Sequence, residues 1–124
     1  MRKEHFTVVT SSPFANDGQP YYCVGDENGR PMSDEGIADD LGIRGTLHSR
    51  QWKVVDLLRS FSEEWVSYVY VSLNGSPHIM VDDYTANRSV CECAVTELNR
   101  RYNEHIARMA RKARKAGKAG NVSC

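Results

Sequence analysis

The sequence predicts a small α+β domain in which two β-hairpins form a small antiparallel sheet packed against helices, with a long C-terminal helix, in the order β-β-α-α-β-β-α. Three observations predict this fold class. The 124 residues, 40% of them hydrophobic and 26% charged, are enough for one core. Two pairs of segments rich in β-branched and aromatic residues are each divided by turn residues. Apolar residues recur at helical spacing after each pair.

The first hairpin is predicted from the segments His5–Thr10 and Tyr21–Val24. The loop between them, residues 11–20, is rich in serine, proline, asparagine and glycine, which are typical of turns. Asp26–Gly29 then forms a tight turn, because asparagine and glycine tolerate a positive φ. We expect the two strands to pair.

Two helices are predicted next. Ser33 or Asp34 caps a short helix that ends at Gly42. The second helix begins at Ser49. Its core-facing stripe contains apolar residues at three-residue spacing, widened by Val54 and Leu57, namely Trp52, Val55, Leu58 and Phe61.

The second hairpin is predicted from the alternating segments Trp65–Leu73 and His78–Val81, joined by a turn at Asn74 and Gly75. Pro77 predicts irregular pairing where the return strand starts, because proline has no N–H to donate. This hairpin is the strongest tertiary prediction from the sequence.

The last helix is predicted to begin at the capping box formed by Ser89 and Glu92, whose side chains each satisfy a backbone donor. Good helix formers continue through Lys115, before Gly117 and Gly120 interrupt them. The apolar stripe that should face the core consists of Ala94, Leu98, Tyr102, Ile106 and Met109.

Charge divides the chain into an acidic body and a basic end. Residues 1–99 contain 8 lysines and arginines against 15 aspartates and glutamates, a net charge of −7, whereas residues 100–124 contain 8 against 1, a net charge of +7. We therefore assign residues 1–110 to a single α+β domain and residues 111–124 to a basic, partly disordered tail. Such a charge distribution favours different partners at the two ends.

The basic end is the first candidate binding site. Its cations lie among alanines and glycines, so they can approach a polyanion without steric hindrance, and each phosphate that they neutralise releases counterions. We expect a small, non-enzymatic regulatory protein that contacts nucleic acid through Arg108, Arg111, Lys112, Arg114, Lys115 and Lys118, with Arg100 and Arg101 extending the charge onto the folded helix. A solvated helix end, whose cations favour the C-terminal dipole, explains the same pattern.

The acidic body predicts an alternative function, a regulator or inhibitor that docks on a basic groove of a partner protein. Tyrosines are typical anchors of such interfaces. The candidate residues are Asp39, Asp40, Glu63, Glu64, Asp82, Asp83, Tyr68 and Tyr70. A homodimer through an unpaired sheet edge or through the projecting helix is a further expectation.

Ile37–Ile43 resembles the first helix and turn of a helix-turn-helix motif, in which alanine permits close helix crossing and glycine permits the turn. The resemblance implies base-reading positions at Arg44, Thr46, His48, Ser49 and Arg50, although a helix and glycine turn of an unrelated fold has the same pattern. In element order, the second hairpin and the last helix also resemble the back half of a double-stranded-RNA-binding domain. That family has a lysine cluster at a position where only Arg88 is basic here.

The sequence contains no motif for catalysis, a cofactor or a metal, and a small enzyme stays a third alternative. Cys91 and Cys93 are two residues apart and point in opposite directions on a helix, so they do not form a zinc-binding pair. Asp82 and Asp83 are adjacent in a strand and face opposite sides, so they do not form an acid/base pair. No segment approaches the roughly 18 apolar residues of a membrane span, and no signal-peptide core is found. We expect a soluble cytoplasmic protein with free thiols.

Overall fold

A computed structural model describes residues 4–11, 19–73, 75 and 78–122, with side chains on the last helix as far as Lys115. The predicted fold class is confirmed. The elements are β1 (Thr7–Thr10), β2 (Tyr22–Gly25), α1 (Asp34–Leu41), α2 (Leu47–Phe61), β3 (Val66–Ser72), β4 (His78–Tyr84) and α3 (Arg88–Val122).

Both predicted hairpins form, but as two separate two-stranded antiparallel sheets rather than the one small sheet that was predicted, because the segment after β2 occupies the edge along which β4 would continue to pair. β1 pairs with β2 from Thr7 opposite Gly25, and β3 pairs with β4 in a regular register from Val66 opposite Tyr84. Positions 74, 76 and 77 lie outside the described residues, so the turn prediction for Asn74 and the irregular pairing predicted from Pro77 stay predictions.

Among the described residues, the backbone pair of Tyr22 and Thr85 joins the two sheets. The Tyr22 N–H donates to the Thr85 carbonyl oxygen at 2.7 Å, and the Thr85 N–H donates to the Tyr22 carbonyl oxygen at 2.9 Å. Farther along β2 the Met32 N–H donates to the Val24 carbonyl oxygen at 3.0 Å, so the segment that leads into α1 occupies the edge of β2. β4 therefore diverges from β2 beyond the junction at Tyr22.

The core lies between the sheets and the three helices. Its centre consists of side chains that are almost wholly inaccessible, namely Phe6, Val24, Ile37, Ala38, Val54, Leu58, Trp65, Cys91, Ala94, Val95 and Leu98. Burying such apolar surface is the main favourable term in folding, at about 25 cal/mol per Å².

Buried Asn99 connects α3 to the backbone of Phe6, the residue before β1, through two hydrogen bonds. Its Oδ1 accepts from the Phe6 N–H at 2.8 Å, and its Nδ2 donates to the Phe6 carbonyl oxygen at 3.0 Å. One amide thus satisfies two buried backbone groups, which is the usual requirement for polar groups without access to water.

The caps of α1 agree with the prediction, whereas those of the later helices differ. Ser33 accepts from the Gly36 N–H, and Gly42 ends α1 in the left-handed conformation with φ 70°. α2 begins at Leu47, two residues before the predicted start at Ser49, because Thr46 caps it.

The predicted capping box at the start of α3 is wrong. The Asn87 side-chain oxygen accepts from the Ser89 N–H at 3.0 Å, so Asn87 rather than Ser89 caps the helix. Glu92 does not reach back to the cap, because Arg88 binds it at 2.8 Å.

The predicted core stripe of α2 is correct at its centre and wrong at Trp52, which is 38% exposed. Residues at three-residue spacing drift by roughly 60° per step around a helix of 3.6 residues per turn. The first member of the stripe therefore lies at the edge of the buried face. Val54 and Leu58 are fully buried, and Trp52 instead donates from its indole nitrogen to His48 at 2.9 Å.

α3 is longer than predicted, because it continues past Lys115 to Val122. Its predicted stripe is buried at Ala94 and Leu98, whereas Ile106 and Met109 are each 47% exposed. The helix therefore leaves the core after its first four turns and continues as a projection. The domain boundary at residue 110 stays a prediction.

Candidate functional site

The projecting part of α3 presents the first candidate site. Arg108, Arg111, Lys112, Arg114 and Lys115 are all exposed, and within the described part of the chain none of them forms an ion pair. Successive helix residues are rotated by about 100°, so four of the five lie within an arc of about 100°, and Arg114 widens it. We call these five residues the basic face. The side chain of Lys118 lies outside the described part.

Arg100 and Arg101 differ from the basic face, because acidic neighbours on the same helix bind them. Arg100 pairs with Glu97 and with Glu104, and Arg101 contacts Glu97 at 3.2 Å. The Arg101 guanidinium also lies 5.9 Å from the centre of the Phe61 ring. These two arginines contribute little uncompensated charge, so the concentration of free cations begins at Arg108.

The structure does not bring all of the predicted acidic residues together. Asp39 pairs with Arg50, Asp40 binds the His5 ring nitrogen at 2.7 Å, and Glu64 accepts from an asparagine at 3.2 Å. Glu63 is exposed in the turn before β3. The other four predicted residues, which are Tyr68, Tyr70, Asp82 and Asp83, all line one cleft.

This cleft lies where β4 diverges from β2, and its volume is about 720 Å³. β3 and β4 form one wall, whereas β2 and the segment before α1 form the other. The residues that give the cleft its chemistry are Tyr21, Cys23, Met32, Tyr68, Tyr70, Met80, Asp82, Asp83 and Tyr84. We call it the tyrosine cleft.

The aromatic rings of the cleft form two pairs. The centres of the Tyr21 and Tyr84 rings are 5.0 Å apart, and those of Tyr68 and Tyr70 are 5.7 Å apart. The register of the second hairpin explains this grouping. Tyr68, Tyr70 and Tyr84 lie on the same face, since Tyr68 is opposite Asp82 and Tyr84 is opposite Val66.

Three carboxyl groups meet beside the cleft. Asp34, in the first turn of α1, is fully buried, and Asp83 is 6% exposed. Burial first, and then a hydrogen bond with Asp83 and the charges of Asp83 and Asp82, raise the pKa of Asp34 strongly. Asp34 is therefore protonated at neutral pH. Its proton supplies the donor that the buried oxygens of Asp34 and Asp83 otherwise lack.

Asp82 and Asp83 interact more than the sequence indicated. They point to opposite faces of the hairpin, as predicted, since Asp82 is opposite Tyr68 and Asp83 is opposite Ser67. Both nevertheless line the cleft, and burial together with the charge of Asp83 raises the pKa of Asp82. Burial and hydrogen bonding to Asp82 in turn raise the pKa of Tyr70.

The thiols next to this site are poor nucleophiles. Burial, and secondarily the charge of Asp82, raises the pKa of Cys23 to about 11, and burial raises the pKa of Cys91 to about 12. The thiolate is the nucleophile and the metal ligand, so both side chains are unreactive while folded. Among the described residues, no group of three histidines, cysteines or acids has the geometry to hold a metal ion.

The segment that resembles a helix-turn-helix does form two helices, with residues 42–46 between them. Several of the implied base-reading side chains make contacts within the protein. Thr46 caps α2, His48 accepts from Trp52, and Arg50 binds Asp39. Arg44 and Ser49 are the two implied base-reading residues whose side chains make no such contact in the described part of the chain.

Sequence reasoning did not identify Asp34 as part of the site, since its position suggested only a helix cap. No local signal marks Asp34, because an acid in the first turn of a helix is already explained by the helix dipole. The pairing of Tyr21 with Tyr84 joins positions 63 residues apart and has no local signal at all.

Within the part of the chain that the structure describes, no helix is long and apolar enough to cross a membrane. Comparison of the chain with models of protein families, with curated protein sequences and with solved structures finds no match.

Proposed function

We propose that this protein is a small, non-enzymatic binding protein that contacts nucleic acid through the basic face of α3. The observation that supports this proposal is the contrast along one helix. Arginines next to the core are bound by glutamates, whereas the five cations from Arg108 onward are exposed and unpaired among the described residues. Unpaired cations retain their full attraction for phosphates.

The proposed contact is electrostatic and does not read bases. Alanines at positions 110 and 113 separate the cations, so the helix can approach a phosphate backbone closely. Five phosphate contacts on duplex DNA give a salt exponent of about −4.5, which corresponds to roughly a 500-fold loss of affinity between about 50 and 200 mM salt. A steep salt dependence is therefore the signature of this mode.

The test compares two sets of substitutions in the full chain. Arg108, Arg111, Lys112 and Lys115 are changed together to glutamine, and the matched control changes Arg100 and Arg101 to glutamine. Binding to mixed-sequence duplex DNA, single-stranded DNA and RNA is measured at two salt concentrations, beside a chain that ends at Ala110.

We expect the fourfold variant and the shortened chain to lose binding, and the control to keep most of it. Absence of binding by the unmodified chain at low salt contradicts the proposal. Equal loss in the control contradicts the assignment to the basic face.

A second candidate function is that of a regulator or inhibitor that docks on a partner protein through acidic and aromatic side chains. The tyrosine cleft favours it, because tyrosines anchor interfaces and no lysine or arginine of the described part of the chain lines the cleft beside its acids. The two functions differ in one simple test. Removing residues 111–124 abolishes the first and spares the second, whereas changing Tyr68 and Asp82 does the reverse.

A second copy of the chain is also a proposed partner, at the outer edge of β3. This strand contains no charged residue, and Tyr68, Val69 and Val71 are each at least half exposed. Antiparallel pairing of two copies about Val69 places Tyr68 of each copy opposite Tyr70 of the other, without like charges. Sedimentation should show a dimer that Val69→Lys dissociates, and Ile79→Lys, on the inner strand, should leave it intact.

We further propose that the protein acts in the cytoplasm. Three cysteines, Cys23, Cys91 and Cys93, are free thiols in the described part of the chain. Free thiols persist in reducing compartments. Localisation of the tagged protein tests this, and retention in an oxidising compartment contradicts it.

A further inference from the structure

The tyrosine cleft has the size of a small-molecule site. Its volume of about 720 Å³ lies within the range of about 300–1,000 Å³ that is typical of ligand pockets. The two ring pairs, together with Met32 and Met80, make most of its lining apolar and polarisable. Tyrosine faces carry negative electrostatic potential and attract cations, especially cations without strongly held water.

Negative charge in the cleft lacks a cationic partner. No lysine or arginine lines the cleft, and none pairs with Asp34, Asp82 or Asp83 among the described residues. Oδ1 of Asp82 is inaccessible to solvent and has no hydrogen-bond partner among the described residues, whereas the Ser67 hydroxyl and the proton of Asp34 hydrogen-bond Asp83. Asp83 is more than nine-tenths buried while it lines the cleft. Burying charge without compensation is unfavourable, so a bound cation lowers the free energy of the site.

The lining selects among cations. A divalent metal needs six or more oxygen ligands, or a set of nitrogen and sulfur ligands, which the described residues do not assemble. A guanidinium binds best to both oxygens of one carboxylate, but Asp82 also interacts with Tyr70. A methylated ammonium has no N–H donors to satisfy and needs only ring faces and a nearby negative charge.

We propose that the tyrosine cleft binds a quaternary alkylammonium group, with Tyr68, Tyr70, Tyr21 and Tyr84 contacting the methyl groups and Asp82 supplying the counter-charge. This inference deepens the second candidate function by naming the ligand chemistry, and it rests on the same cleft. It is independent of the contact with nucleic acid. The ligand is a trimethylated lysine side chain of a partner protein, and a choline head group is the alternative outcome of the test.

The first experiment titrates the full chain with choline chloride and follows the cleft tyrosines by NMR, with sodium chloride at the same concentration as the reference. 3,3-Dimethylbutan-1-ol has the shape of choline without its charge and serves as the ligand control. We expect the chemical shifts of the cleft tyrosines to change saturably with choline. The neutral alcohol should bind at least about tenfold more weakly, a difference of about 1.4 kcal/mol.

Variants locate the contact. Asp82→Asn and Tyr68→Leu should each weaken choline binding about tenfold or more, since each removes one part of the attraction. Tyr68 is 60% exposed, so its replacement tests the site even if Asp82→Asn perturbs folding. Asp39→Asn removes an exposed carboxylate that does not line the cleft and should leave binding unchanged.

Peptides distinguish the two sources of the cation. A trimethyllysine peptide that binds more tightly than choline indicates a protein partner, and the reverse order indicates a lipid head group or free choline. Equal binding of the unmethylated lysine peptide overturns the preference for a quaternary group. Equal binding of the neutral alcohol, no saturation with choline, or unchanged affinity in both cleft variants overturns the proposed site. If choline binds but no protein partner is captured, the cleft still binds a quaternary ammonium group, and the docking function fails.

Discussion

Replacing Asp34 with asparagine should stabilise the protein at neutral pH, although Asp34 is fully buried and most substitutions of buried residues destabilise. Burial and the neighbouring Asp83 raise the pKa of Asp34, so the folded protein holds this carboxyl in its neutral form. The unfolded chain releases the proton at an ordinary pKa. Asparagine has nearly the same shape, is neutral at every pH, and can donate its amide hydrogen to Asp83.

The magnitude follows from the proton equilibrium. An ordinary aspartate has a pKa of about 3.9, so pH 7 lies about three pKa units above it, and each unit corresponds to about 1.4 kcal/mol. Keeping Asp34 protonated at pH 7 therefore costs at most about 4 kcal/mol. The amide is a weaker donor than the acid, which offsets about 1 kcal/mol or more. We expect Asp34→Asn to raise the free energy of unfolding at pH 7 by roughly 1–3 kcal/mol.

The sign of the pH dependence is a stricter check. Because folding raises the pKa of Asp34, its contribution to stability is complete below the ordinary aspartate pKa and is lost progressively as pH rises. The advantage of Asp34→Asn over the parent should thus be small near pH 4 and grow through pH 7. Urea unfolding, followed by the fluorescence of buried Trp65, measures it.

Asp39→Asn is the matched control, since this carboxylate is exposed and ion-paired. It should change stability by less than about 1 kcal/mol without the same pH trend. A destabilised Asp34→Asn protein at pH 7, or an advantage that does not grow with pH, refutes the reasoning.

Three other substitutions or reagents test the packing. Asn99→Ala removes both hydrogen bonds to the backbone before β1 and should lower the free energy of unfolding by roughly 2–4 kcal/mol, measured by urea unfolding. Gly42→Ala should also destabilise, by at least about 1 kcal/mol, because φ is 70° and the added Cβ would lie 2.3 Å from the His105 ring; little change in melting temperature contradicts this contact. In a Cys124→Ser background, a thiol reagent should modify exposed Cys93 quickly and the two buried thiols only after unfolding, so rapid loss of three thiols argues against the core.

The local elements could be predicted because their causes are local. Ser33 and Gly42 begin and end α1 through their own side-chain and backbone chemistry, and the alternation of β3 and β4 specifies a hairpin whichever helices cover it. The exact start of α3 was less predictable, since Asn87 and Ser89 can both cap a helix and only the approach of the preceding chain decides between them.

The two candidate sites also differ in how far the sequence alone predicts them. The basic face is a helical pattern of cations, so its position on one side of α3 follows from sequence spacing alone. The sequence does not predict which of the acidic residues lie together. In the structure Asp39 and Asp40 bind Arg50 and His5, whereas Asp82 and Asp83 line a cleft. No spacing in the sequence distinguishes these two pairs.

The sequence by itself determined the order of elements, both hairpins and the separation of charge between the body and the last helix. Only the tertiary structure decided that β4 diverges from β2 after Tyr22 and that Met32 hydrogen-bonds the edge of β2 in its place. This arrangement buries Asp34 beside Asp83. The physical reason is that hydrogen bonding within a helix or hairpin depends on neighbouring residues. The opening of a cleft and the pKa of a buried carboxyl depend on segments that only the folded chain brings together.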